Sequence, residues 1–163
     1  MGKLLHATTV AFFFWIALSS SADADNLSRS GTWHVVEART WWSDRPTPKG
    51  FSLELILSFS GKNFSYRSIN DTDKAQAPQV FQFAATLDGA KQAVPDRKAG
   101  EFDQISFQET GPGLYRMLRW LKGELVAVQY WTFMPGDTEM VRRGATKTSA
   151  GPWHAYEEWF VRK

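Results

Sequence analysis

The stretch GTWHVVEARTWW, Gly31 to Trp42, decides how the rest of the sequence is read. Its Thr, Val and Trp content is that of a strand. Yet it opens on Gly-X-Trp and carries His34, Glu37, Arg39 and two further indoles, Trp41 and Trp42. A plain core strand does not need an indole at its entry. The Trp33 indole is either a core residue at a strand start or the floor of a closed antiparallel barrel that begins here. Gly31, lacking a Cβ, lets the entering chain pass close beneath that floor.

Downstream, strand signals dominate. In SLELILSF, Ser52 to Phe59, the residues Leu53, Leu55, Leu57 and Phe59 fall on one face at period two. Ser60-Gly61-Lys62-Asn63 turns the chain and FSYRSI returns it, which is a hairpin. VFQFAATL, Val80 to Leu87, continues the pattern, and AVPDRKAG, Ala93 to Gly100, reads as a loop. A chain of hairpins follows: Asp103 to Thr110, Leu114 to Leu121, Glu124 to Phe133, the more polar Thr138 to Thr148, and Trp153 to Arg162. The polar segment reads as an edge or a solvent-washed wall. No long window holds the 3.6-residue period of a helix; residues 68–79 leave room for one short turn. Eight or nine strands joined by tight turns give an all-β domain, an up-and-down antiparallel barrel or a sandwich.

The barrel is favoured because several strands are apolar on both faces. ELVAVQYWTF, Glu124 to Phe133, puts Leu125, Trp131 and Phe133 on one side and Val126, Val128 and Tyr130 on the other. A sheet with one wetted face alternates more cleanly. Closure also removes unpaired edges.

Gly31-Thr32-Trp33 resembles the G-x-W start of the lipocalin and fatty-acid-binding (calycin) superfamily. There the Trp plugs the closed end of the barrel and a basic residue of the last strand packs over it. The resemblance implies Arg162 as that residue, with Lys163 in reserve. A cation over an indole face contributes about 0.5–2 kcal/mol. The second half, from TLDG at Thr86 through VPD to WFVRK, also resembles a family of small exported bacterial proteins described as lipocalin-like. The T-D-Y motif, the disulfide and the C-terminal helix of true lipocalins are absent. The implied fold is a lipocalin-like β-barrel.

The N-terminus is expected to be processed. Lys3, the apolar run Val10 to Leu18 and Ala22-Asp23-Ala24 form the three-part pattern of a secretory signal peptide. The apolar run is shorter than the roughly 20 residues of a membrane span. Residues 1–24 are read as signal peptide and 25–163 as one barrel domain, periplasmic or secreted, with no stable membrane insertion after cleavage. The 163-residue chain has no cysteine, so its core must hold the fold without disulfides. A net charge of +2 is too small to steer the protein to nucleic acid. Asn26, Asn63 and Asn70 each begin an Asn-X-Ser/Thr triplet, a pattern that turn-favouring residues also produce by clustering.

Chemistry-bearing constellations are sparse. His34 and His154 lie on the first and last predicted strands and are weak candidates for a metal or haem site beside Glu157 or Glu158. No Gly-X-Ser-X-Gly or cysteine nucleophile occurs, so no catalytic residue and no cofactor is assigned. Glu37 with Arg39, or Glu157 with Arg116, could form interior charge pairs, which must be matched if buried; the alternative, and the favoured reading, is solvent-facing charges on a barrel wall.

The reading is thus a non-enzymatic container for a small apolar or amphipathic molecule. By strand parity its lining is Val35, Leu55, Leu57, Phe64 and Tyr66, with Phe81, Phe83, Phe107, Tyr130 and Trp131. A one-residue slip would turn any strand's members outward. The alternative is a barrel filled by its own side chains, whose apolar outer face makes a homodimer or another protein contact.

Overall fold

The computed structural model describes residues 26–94, 101–147 and 151–163. The expected signal peptide, most of the loop read at 93–100, and residues 148–150 lie outside them. Eleven antiparallel strands form one sheet. They are β1 (Gly31–Val35), β2 (Trp41–Trp42), β3 (Leu53–Ser60), β4 (Asn63–Asn70), β5 (Gln79–Thr86), β6 (Gln92–Ala93), β7 (Gln104–Gly111), β8 (Leu114–Leu121), β9 (Glu124–Phe133), β10 (Glu139–Thr146) and β11 (His154–Arg162). β2 and β6 are two-residue strands. Eight of the nine longer ones match the expected strands to within a residue or two at each end; β1 is shorter than the expected run. No helical turn forms in 71–78. Among the described residues no helix is long and apolar enough to cross a membrane.

The strand order is β5-β4-β3-β1-β11-β10-β9-β8-β7-β6, with β2 also on β11. The first strand therefore lies between β3 and the last strand: Trp33 is opposite both Leu55 and Arg162. The two ends of this path, β5 and β6-β7, face each other across a seam. Leu87 O accepts from Glu109 N and Phe107 O from Gly89 N, both at 3.0 Å. The Gln92 side chain also meets Thr86. The result is an up-and-down barrel, stitched shut along part of its seam. Past the stitch, an open groove of about 870 Å³ runs between Tyr66, Phe81, Phe83, Ala93 and Val94.

GTWHVVEARTWW is not one strand. β1 ends at Val35, a single 3-10 turn spans Glu37–Arg39, and the chain rejoins β11 at β2. Val36 N still reaches Trp159 O at 2.7 Å, so the turn is a bulge from the same ladder.

The floor-side half of the barrel is solid. Phe64 stacks on Phe107 with ring centroids 4.1 Å apart, and Phe107 on Tyr115 at 5.3 Å. Trp131 meets Phe107 edge-on at 5.2 Å, as Trp33 meets Phe133. Trp33, Phe107 and Trp131 have no exposed surface at all. Each such buried aromatic contributes on the order of 1.5–3 kcal/mol by removal of apolar area from water.

Beneath this cluster the helical turn at 26–28 closes the barrel with polar bonds. Arg29 donates from Nη1 to Asn26 Oδ1 at 2.7 Å and to the Tyr115 hydroxyl at 3.1 Å, and from Nε to Asp137 at 3.3 Å. Tyr115 donates to Asn26 Oδ1, and Asn26 Nδ2 to Glu109 at 3.1 Å. Trp33 Nε1 donates to Arg29 O at 3.2 Å, which satisfies the buried indole. Asn26 is only 2% exposed and is hydrogen-bonded through both its side-chain oxygen and nitrogen, whereas Asn63 stays on the surface.

Candidate functional site

At the end of the barrel away from Trp33 the interior opens into a cavity of about 470 Å³. Strand alternation puts its walls together. Glu158 pairs with Arg142 across β11 and β10, and Arg142 with Trp131 across β10 and β9. One step toward the mouth, Tyr156 faces Gly144, and Gly144 faces Gln129. One step further, Thr146 stands between His154 and Ala127, with Arg119 beyond Ala127 on β8. Trp42, Phe102 and Val126 supply apolar wall, and Asp44, Arg45, Glu101 and Lys147 the rim.

The two interior arginines differ. Arg142 donates from Nε to Glu158 Oε2 at 2.8 Å, again from Nη2 to the same oxygen, and from Nη1 to the Tyr66 hydroxyl at 3.2 Å. Burial works against its charge, but the Glu158 carboxylate outweighs it and raises the Arg142 pKa. Arg119 has no ion pair or hydrogen bond among the described residues, and its buried Nε is without any partner. Its guanidinium lies over the Phe102 ring, 4.9 Å from the centroid. Burial lowers its pKa from the ordinary guanidinium range. An arginine still remains charged at neutral pH. The cavity thus holds a matched pair and one unmatched cation, an arrangement suited to an anionic group. Burial also raises the pKa of the Tyr156 hydroxyl, which stays protonated and can donate.

The residues expected from sequence divide between four places. Trp33 is buried at the floor, and the Arg162 Cζ lies 5.9 Å from its ring centroid while Nη1 and Nη2 donate to Ser28 O and Ser30 O at 2.6 Å. Gly31, at φ 145°, leaves room for that guanidinium: a Cβ there would meet Arg162 Nε at 3.1 Å. Leu55, Leu57, Phe64, Phe107 and Trp131 do face inward but are locked in the filled half, and Val35 packs on the same cluster. Tyr66, Phe81 and Phe83 border the seam groove. Tyr130 is a correction: it is 53% exposed on the outer wall, because its neighbour Trp131 points in and adjacent strand residues face opposite ways. None of these ten lines the mouth cavity.

Of the two readings of the polar pairs, the solvent-facing one holds and the interior one does not. Arg39 bonds Glu139 at 3.1 Å and stacks over Trp159 at 3.6 Å, on the outside, while Glu37 accepts from Gly50 N. Glu157 pairs with Arg143 at 2.6 Å and Arg116 donates to Gln108. The interior pair is the next residue along, Glu158, with Arg142. The two histidines do not approach each other. His34 is level with Val161, seven residues along β11 from His154, on the order of 24 Å at about 3.4 Å per residue. His34 lies 3.4 Å from Glu54, and His154 lies 3.6 Å from Asp44 at the cavity rim. Sequence reasoning misses Arg119, Gln129, Arg142 and Tyr156, and names Glu158 only beside the histidines. Their signal was available: each polar residue falls in phase with buried apolar ones, Arg119 with Tyr115 and Met117, Arg142 with Met140, Glu158 with Phe160.

No protein-family model matches the chain, and no curated protein sequence does. Solved structures do match its fold. One is a Schistosoma mansoni fatty-acid-binding protein in complex with arachidonic acid, at TM-score 0.52 and 8% identity over 85% of this chain and 98% of that one. Another is a zebrafish ileal bile-acid-binding protein complexed with cholic acid, at TM-score 0.51 and 11% identity over 83% and 99%. The chain is an all-β, nearly closed up-and-down antiparallel barrel that resembles these two proteins in fold.

Proposed function

We propose that this protein is an exported carrier that holds one small amphipathic molecule in the mouth cavity and performs no chemistry on it. The observation that carries this reading is the unmatched Arg119 guanidinium in a chamber with apolar walls. A buried donor without a partner costs about 1–3 kcal/mol, a cost that an incoming acceptor removes. The resemblance to a fatty-acid-binding and a bile-acid-binding barrel supports a container role. The leader-like N-terminus supports export. The filled floor limits the ligand to the upper chamber, whose volume lies in the range of small-molecule sites.

Native mass spectrometry of the protein as purified tests the reading, together with titration of the apolar fluorophore 1-anilinonaphthalene-8-sulfonate. One-to-one binding by a monomer supports the carrier. A concentration-dependent size without probe binding supports the second reading, an interaction module, which the aromatic filling of the lower barrel and the exposed Tyr130 and Leu114 favour.

A further inference from the structure

Resting on that reading, we infer that the molecule held in the mouth cavity is a compact hydroxy acid, with its anion at Arg119 and its hydroxyl hydrogen-bonded to Glu158. Both bonds from Arg142 to Glu158 land on Oε2. Among the described residues no donor reaches Oε1, on a carboxylate that lines the cavity. This carboxylate is ion-paired with Arg142, and a carboxylate oxygen is an acceptor only. It calls for a donor on the ligand and repels a second acid. Arg119 calls for the opposite, an acceptor with negative charge. Two complementary demands in one chamber select a molecule that carries both groups.

The walls set its body. Trp42, Phe102, Val126 and Ala127 are apolar, and the chamber ends on Gln129, whose Oε1 accepts from Trp131 Nε1 at 3.4 Å. Trp131 and Phe107 below it are fully buried and in ring contact, and among the described residues they stand in the way of a long acyl chain. The Tyr156 hydroxyl, laid over Gly144, forms no hydrogen bond among the described residues and gives the ligand a further donor.

Displacement of 1-anilinonaphthalene-8-sulfonate from the full chain tests this with four competitors. These are 3-(4-hydroxyphenyl)propionate, its deoxy analogue 3-phenylpropionate, the amine tyramine, and palmitate. The hydroxy acid should displace about tenfold better than the deoxy acid and the amine, the worth of one charge-assisted hydrogen bond. Palmitate should not displace stoichiometrically. Arg119→Gln should erase the preference for acid over amine and keep the preference for hydroxyl over hydrogen. Thr146→Trp, which fills the mouth, should abolish all of it; the wild-type series stands without either variant. Equal displacement by the two acids, or tighter one-to-one binding of palmitate, overturns the hydroxy-acid assignment and leaves the carrier intact. Absence of fluorophore binding, with no competitor retained in native mass spectrometry, overturns the carrier reading itself.

Discussion

Arg119 and Arg142 stand on the same inner wall, yet only Arg142 has its charge matched. Glu158→Gln leaves the Arg142 guanidinium buried without its counter-charge and should cost about 3–5 kcal/mol, read as a lower urea midpoint at unchanged slope. Arg119→Met removes an unsatisfied donor instead and should stabilise by about 1–3 kcal/mol while weakening binding of the anionic fluorophore. A residue placed for binding rather than for folding gives that opposed pair of effects. At the floor, Tyr115 supplies a pH dependence. Burial raises its hydroxyl from 10.0 to about 12, against the lowering effect of Arg29. The folded state then holds this proton more tightly than the unfolded chain. The stabilisation is whole below pH 10 and is lost as pH climbs toward about 12. Denaturation midpoints should fall across that window, and Tyr115→Phe should flatten the fall. That Arg119 and Glu158 carry the site was only half legible: parity placed them inward, but which inward charges are paired depends on strands far apart in sequence.

From sequence, the polar or small Arg142, Arg143, Gly144 and Thr146 make strand β10 look like an edge or a washed wall. It is a central strand between β9 and β11, and its polarity is the interior ion pair and the cavity wall. Gly144 is there for close approach. A Cβ would sit 2.5 Å from Val128 O and 2.9 Å from the Tyr156 hydroxyl. Gly144→Ala should therefore shift β9 or push Tyr156 from its place. The expected cost is about 1–3 kcal/mol, as for other overpacked sites, seen as a lower melting temperature with altered fluorophore binding. The break of Gly31–Trp42 into β1, a turn and β2 had no local warning. Its residues favour a strand throughout, and the bulge is fixed by pairing with β11, whose Glu157 and Tyr156 take Trp41 and Trp42.

Across the whole molecule, closure is unequal. β1 is bonded on both sides, whereas the Gln79–Phe83 part of β5 pairs only with β4. Amides along that edge, unpaired among the described residues, should exchange with deuterium orders of magnitude faster than those of β1 and the β1-facing part of β11, a difference that hydrogen-exchange mass spectrometry can read. Equal protection on both sides of the seam would mean the stitch extends further than Asp88 and Gln108. The sequence by itself determined the strands, their turns, the antiparallel hairpin order and the indole at the entry, because alternation and turn chemistry act over a few residues. Only the tertiary structure decided that the lower barrel is filled, that Glu158 rather than Glu157 meets an arginine, and that the cavity lies at the mouth. Those outcomes depend on register between strands more than a hundred residues apart, and a slip of one residue exchanges every inward side chain for an outward one.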